Sequence, residues 1–231
     1  MNFTPRFDQP SESNDMERIE EASEQWIDSI ELPGETDTWQ DAIALPESME
    51  LSYESSENLG VNESRYDEAT QVKYLSGYLN GCKELEPENW KNLSLEERVK
   101  VLQTIESVAA FLGGRPTLKV QSEPMAKNVY GEMNWDNQKI SLNERLVQSD
   151  NPQCLRQVLK TLAHEGRHAY QYSNLFNART EPNTEKYQSW KVNYQTGYRQ
   201  ASFFGMYDYY LQPLEVDARV FSESVVSKLS I

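Results

Sequence analysis

The residues best suited to chemistry lie in the segment TLAHEGRHAYQ, residues 161–171, which holds both histidines of the 231-residue chain. His164 and His168 are four residues apart, and Glu165 directly follows the first. On a helix this spacing puts both imidazole rings on one face, so that they can bind the same ion. Glu165 lies beside that face and can take a proton from a water whose pKa the metal lowers toward ~7. Chance gives this arrangement about once in a thousand cases, so the motif favours a metal site over two unrelated histidines.

A third ligand is needed, because catalytic zinc is held by three protein groups and leaves one position for water. No histidine remains, so a downstream carboxylate is expected. The segment 209–229 predicts a helix that begins after Pro213 and has Glu215 in its first turn. We expect Glu215 to be the third ligand, and Asp217 to orient a histidine ring or to pair with Arg219. The roles of Glu215 and Asp217 can be exchanged, and other divalent metals favour similar donors.

The elements that must position these residues are predicted from hydrophobic spacing and from end signals. Ser94 and Glu97 form a capping box at the start of one helix. Asp150 or Asn151 can cap the histidine helix, and Pro152 suits its first turn. The helices predicted before the C-terminal one are 66–82, 95–112 and 152–172.

An alternating pattern between the second and third of these helices predicts strands. Asp136 and Asn137 form a plausible two-residue hairpin turn between two of them. The predicted strands are 116–122, 129–135 and 138–143. The expected fold class is therefore α+β, a mainly helical domain with a small antiparallel sheet before the histidine helix.

Charge divides the chain into two parts. Residues 1–70 carry 19 acidic and 3 basic side chains, whereas residues 71–231 carry 18 acidic and 19 basic ones. The acidic part has few apolar residues, a composition typical of loosely structured segments. We expect an acidic N-terminal segment, a tail or a pro-region, over residues 1–65, and a globular domain over residues 66–231.

Composition excludes several classes of function. The near-neutral globular part has no basic surplus, which disfavours nucleic acid as a partner. The chain has no run of 18 apolar residues. Its first 21 residues have no apolar stretch and no basic region, so we expect no signal peptide. Cys82 and Cys154 are too few for a disulfide framework. These features predict a cytoplasmic protein without a membrane span, with signal-less export left open, and they are silent on oligomeric state.

The HEGRH motif with a downstream glutamate resembles the zincin metallopeptidases, in particular the glutamate-ligand branch called gluzincins. The resemblance covers about residues 116–229 and is closest to small bacterial or phage-type members. It implies a zinc-dependent hydrolase that cleaves peptide bonds with a metal-activated water. The implied ligands are His164, His168 and Glu215, with Glu165 as general base and acid. The resemblance also implies that the hairpin at 129–143 pairs with an extended peptide substrate.

The sequence departs from that family at one position, because many gluzincins have an acid where this chain has Arg219. The nearest acid is Asp217, and both residues are candidates for a role around the ligands. A donor for the oxyanion of the tetrahedral intermediate is also needed. The tyrosine-rich segment 187–210 offers candidates at Tyr194, Tyr198, Tyr207, Tyr209 and Tyr210. Arg167 points away from the histidine face, which favours a structural salt bridge for it.

A second interpretation belongs to a different class of function. The zinc site can be structural or catalytically inactive, and the protein can act as a binding or regulatory module through its acidic N-terminal segment. The same segment can also be a pro-region that covers the cleft. A peptidase and a binding module differ in one respect: only the peptidase needs Glu165.

Overall fold

A computed structural model of the chain describes residues 66–199 and 206–230, and every element below lies in these ranges. The predicted acidic segment over residues 1–65 lies outside the described residues. In chain order the elements are α1 (Glu68–Gly81), a 3₁₀ turn (Lys83–Leu85), α2 (Pro87–Trp90), α3 (Leu95–Gly113), β1 (Lys119–Glu123), β2 (Gly131–Asn134), β3 (Lys139–Asn143), α4 (Glu144–Val147), α5 (Pro152–Phe176), α6 (Thr184–Thr196), α7 (Met206–Leu211) and α8 (Pro213–Val226).

The mainly helical α+β class is confirmed, since helices make up about 64% of the described chain beside one sheet of three strands. The long helix α5 has 25 residues. Neither it nor another helix in the described ranges is long and apolar enough to cross a membrane. The helix α6, which the sequence did not predict, overlaps the start of the tyrosine-rich segment, and Asn183 caps it by accepting from the N–H of Lys186.

The prediction of an antiparallel sheet is wrong, because the sheet is mixed. Its strand order is β1-β3-β2, with β1 parallel to β3 and β2 antiparallel to β3. After β1 the chain crosses to the far edge, forms β2, and returns as a hairpin so that β3 lies between the other two strands. Alternating residues predict that strands form, but they do not encode the order in which strands pair.

The turn between β2 and β3 is also longer than the predicted two residues. Asn134 pairs with Lys139, so four residues, 135–138, connect the strands. Gln138 takes a left-handed conformation with φ of 49°, and its N–H donates to the carbonyl of Trp135 at 3.1 Å. The Asn134 side chain accepts from the N–H of Asn137 at 2.9 Å.

Local end signals place the helices as predicted. The capping box of α3 is present, since the Ser94 side chain accepts from the N–H of Glu97 while the Glu97 side chain accepts from the N–H of Ser94. At α5 the cap is Asn151, which accepts from the N–H of Gln153, and Pro152 is the first helical residue. Both helices therefore begin where unpaired backbone donors are satisfied.

The core surrounds α5, which packs against α3, α8, β2 and β3. Apolar residues of α3 and α5, for example Leu102, Ile105, Leu155 and Leu159, are buried together with Ile140 and Leu142 of β3. A buried ion pair joins Glu106 and Arg115 at 2.6 Å beneath this core. The arrangement leaves one face of α5 between β2 and α8.

The outer edge of β1 is paired with a side chain of α3 instead of another strand. The Gln103 amide accepts from the N–H of Val120 at 2.8 Å and donates to the carbonyl of Leu118 at 3.0 Å. These two bonds occupy backbone groups at the start of β1 that a further strand would use. They therefore oppose extension of the sheet at this position.

Candidate metal centre

Two helices bring the candidate ligands together. His164 and His168 lie one turn apart on α5, on the face between β2 and α8. Glu215 lies in the first turn of α8, which begins at Pro213. Leu214 is buried beside it, and Glu215 itself is only 1% exposed. The packing of α8 against α5 therefore holds a carboxylate against the two imidazole rings.

The three side chains form a close triangle. The Nε2 atoms of His164 and His168 are 3.1 Å apart. Glu215 Oε2 is 3.3 Å from His164 Nε2, and Glu215 Oε1 is 3.2 Å from His168 Nε2. These three residues form a group of donor atoms suited to a metal ion. Of the two carboxylates left open by the sequence, the structure brings Glu215 to the histidines.

The charges in this triangle are strongly coupled. Burial lowers the pKa of His168, but its hydrogen bond to Glu215 and the charges of Glu215 and Glu165 outweigh that effect and raise the pKa to about 9. Burial raises the pKa of Glu215, yet its hydrogen bonds with the two histidines bring it well below the usual range. The Glu215 carboxylate and the His168 imidazolium therefore stabilise each other's charged forms.

Glu165 lies in the wall between the histidine face and β2. It is 9% exposed. Burial raises the pKa of its carboxyl group, an effect opposed by His164 and His168. The N–H of Met133 on β2 donates to this carboxylate. The edge strand and the candidate base are thus in direct contact.

Of the predicted tyrosine donors, Tyr198 reaches the centre. Its hydroxyl donates to Glu215 Oε1. Tyr209 is hydrogen-bonded to both Tyr198 and Glu215. Burial and the charge of Glu215 raise the pKa of both phenols well above the usual range. Both hydroxyls therefore remain protonated and can donate hydrogen bonds at neutral pH.

The other candidates around the ligands make their contacts elsewhere. Tyr194 packs edge-to-face against Tyr172 and Phe176, with ring centroids 6.0 and 4.9 Å away. The Arg219 guanidinium lies over the Tyr210 ring, 4.6 Å from its centroid, and donates to the Tyr210 carbonyl. These contacts describe surface packing, not groups aimed at the histidines.

Asp217 pairs with Arg167, so the predicted pairing with Arg219 is wrong. Arg167 Nε donates to Asp217 Oδ2 at 2.8 Å. The structural role predicted for Arg167 is confirmed, since it is 1% exposed and also bonds to Glu68 at 2.6 Å. Lys186 contacts Asp217 as well, at 3.0 Å. These partners were not predictable, because they come from helices distant in sequence.

Sequence reasoning missed Gln171, which contacts a candidate ligand directly. Its Oε1 atom is 2.8 Å from Nδ1 of His168. Gln171 follows His168 by three residues on the same helix, and residues at this spacing are neighbours. That spacing is the signal that could have identified it.

Comparisons of the chain with protein-family models, with curated proteins and with solved structures gave no match. A proposal about function therefore depends on the geometry and chemistry of this centre.

Proposed function

We propose that the chain is a zinc-dependent peptidase of the glutamate-ligand zincin type, with His164, His168 and Glu215 as metal ligands. The observation that carries this proposal is the size of the ligand triangle. Tetrahedral ligand atoms at about 2.05 Å from zinc lie about 3.3 Å from each other. The two Nε2 atoms are 3.1 Å apart, Glu215 Oε1 is 3.2 Å from His168 Nε2, and Glu215 Oε2 is 3.3 Å from His164 Nε2. One donor atom from each of the three residues lies within 4.8 Å of the other two. Nitrogen and carboxylate oxygen are also the donors that zinc favours in catalytic sites.

When bound, zinc supplies a Lewis acid that lowers the pKa of water and polarises a carbonyl oxygen. The protein supplies the proton transfers. Glu165 takes a proton from the attacking water at its carboxylate and delivers it to the leaving amine. Burial supports this role, because it raises the pKa of Glu165 toward the range in which a carboxylate can both accept and return a proton.

Tyr198 and Tyr209 support an acyl-transfer reaction, because such a reaction needs donors where negative charge develops. The Tyr198 hydroxyl already donates to Glu215 Oε1, and Tyr209 is hydrogen-bonded to the same carboxylate. We assign Tyr198 as the principal donor to the carbonyl oxygen of the substrate, with Tyr209 beside it.

A peptide is the substrate class that fits the surroundings of the centre. β2 is an edge strand of the described sheet, and its Met133 N–H contacts the candidate base. An extended peptide that pairs with an edge strand presents its carbonyl groups at regular intervals along it. Pairing with β2 therefore brings a scissile carbonyl beside Glu165.

The test is metal content and cleavage in matched variants. Wild type purified without added metal should contain about one zinc per chain by elemental analysis, and Glu215→Ala should contain much less. Glu223→Ala is the matched control, because Glu223 lies on the same helix and its ion pair in the described ranges is with the surface Lys160 at 3.3 Å. Glu165→Gln should keep its zinc. It should no longer cleave a mixed peptide library, with cleavage monitored by mass spectrometry.

Four results separate the alternatives. Full zinc content in Glu215→Ala would reassign the third ligand. Unchanged cleavage in Glu165→Gln would overturn the role of the base, and zinc without any cleavage in wild type would favour a structural site in a binding module. No zinc in wild type after reconstitution would overturn the metal centre itself.

A further inference from the structure

Gln171 is a fully buried amide whose polar atoms all have partners. It is 0% exposed. Its Oε1 is 2.8 Å from His168 Nδ1. Its Nε2 donates to the Leu214 carbonyl at 3.0 Å and to Asp217 Oδ2 at 2.8 Å. Gln171 therefore joins a candidate ligand on α5 to the first turn of α8, beside Glu215.

These partners determine which way the amide points. The Leu214 carbonyl and an ionised Asp217 can only accept hydrogen bonds, so the NH₂ group must face them. The amide oxygen must then face His168, and it can only accept. The Nδ1 atom of His168 must therefore carry the hydrogen, which leaves Nε2 for the ligand triangle.

Asp217 is itself held as an acceptor. Its carboxylate oxygens form ion pairs with Arg167 Nε at 2.8 Å and with Lys186 Nζ at 3.0 Å, and both of these groups can only donate hydrogen bonds. The Arg167 guanidinium is enclosed by the rings of Tyr170 and Phe221, at 4.6 and 4.9 Å from their centroids. An ionised Asp217 cannot exchange acceptor for donor, so it prevents the Gln171 amide from turning over.

We propose that Gln171 is a positioning residue of this centre, which fixes the ring of His168 and its tautomer, and that Asp217, braced by Arg167, fixes Gln171. The proposal rests on the proposed function, because it assigns His168 Nε2 to the metal. The proposal gives the two downstream carboxylates different roles. Glu215 binds the metal directly, whereas Asp217 acts on His168 through the side-chain amide of Gln171. Partners of this kind raise the metal affinity of a site about 10- to 100-fold.

The test is zinc affinity in Gln171→Met, which preserves the volume of the side chain and removes both sets of hydrogen bonds. Gln157→Met is the matched control, because Gln157 lies on the same helix and bonds to Thr161 at 3.2 Å. Competition with a chelator should show zinc binding about 10- to 100-fold weaker in Gln171→Met, and unchanged in Gln157→Met. Thermal unfolding of the metal-free proteins serves as the control for an intact fold.

A spectroscopic measurement on the wild type keeps the proposal testable if the variant does not fold. The chain has only two histidines, so ¹⁵N-histidine labelling gives two sets of imidazole signals. In the zinc-loaded protein, His168 should carry its hydrogen on Nδ1, protected from exchange with water, and Gln171→Met should lose that protection while His164 is unaffected.

The outcomes distinguish this proposal from the proposed function. Zinc bound with equal affinity by the wild type and Gln171→Met would overturn the positioning role and leave the peptidase intact. A hydrogen on Nε2 of zinc-loaded His168 would also overturn it. A wild type that binds no zinc would overturn both.

Discussion

The contact between β2 and α5 at Gly131 leads to a quantitative prediction. A Cβ atom at this position would lie 2.6 Å from Thr161 Cγ2 and 2.9 Å from the Ser141 carbonyl oxygen, where 3.4–4 Å is ordinary contact. The Gly131 backbone is not in the left-handed region, so the obstacle to alanine is space alone. Gly131→Ala should therefore push β2 away from the histidine helix by about 0.8 Å, the difference between 2.6 Å and ordinary contact.

The cost follows from two opposing effects. Inserting a methyl group into a packed site costs about 1–3 kcal/mol. Replacing glycine within a strand returns about 0.5–1 kcal/mol of backbone entropy. Because the clash at 2.9 Å is with a backbone oxygen, which cannot rotate away, we place the cost at about 2–3 kcal/mol. The expected net loss in the free energy of unfolding is then about 1–2.5 kcal/mol, which lowers the melting temperature of a domain this size by about 2–10 °C.

The assay is urea unfolding of the metal-free protein, monitored by circular dichroism. Gly77→Ala is the matched control, because Gly77 lies inside α1 and a Cβ there meets nothing within 4 Å. That control should gain about 1 kcal/mol. Thr161→Ser removes the closest clashing atom and should restore part of the stability of Gly131→Ala. A Gly131→Ala protein as stable as the wild type would refute the close approach of β2 and α5.

Three further predictions concern charge and catalysis. The pKa of His168 is raised to about 9 in the metal-free fold, which corresponds to about 3 kcal/mol of stabilisation. This stabilisation is full below pH 6.5 and is lost as pH rises through 9. His168→Gln should therefore flatten the pH dependence of the unfolding free energy, measured with urea across this window, and an unchanged pH dependence would contradict the interaction of His168 with Glu215 and Glu165. Glu106→Gln leaves the buried Arg115 charge unpaired and should cost about 3–5 kcal/mol in the same assay, whereas a loss below 1 kcal/mol would count against a buried pair. Tyr198→Phe should lower kcat about 10²- to 10³-fold with little change in KM, and an unaltered kcat would exclude Tyr198 as the oxyanion donor.

Local signals in the sequence predicted the elements that carry the ligands. The cap at Asn151 and the proline at 152 fix the start of α5, and the 3.6-residue period puts His164 and His168 on one face while Arg167 points inward. These signals depend on neighbours within about four residues. For the same reason, the first-turn position of Glu215 was predictable once Pro213 was seen to start α8.

Features that depend on distant residues were not predictable. The partner of Arg167 is Asp217, and another partner, Glu68, lies 99 residues away in sequence. The order of the strands places β3 between strands that precede it. Tyr198 was one of several candidate tyrosines. When many residues of one type lie close together in sequence, the sequence does not indicate which of them faces the site. The hydrophobic period of a helix indicates which face each residue lies on. The partner of that residue depends on how the helices and strands pack together.

The Gln103 amide on the edge of β1 has a consequence for self-association. A strand edge with free backbone groups can template another chain, and a sheet with two such edges can grow without limit into a fibre. The two hydrogen bonds from Gln103 occupy backbone groups at the start of the β1 edge. A second copy that approaches this edge must displace the amide before its backbone can pair there. The Gln103 side chain thus opposes the addition of a strand at one edge of the sheet.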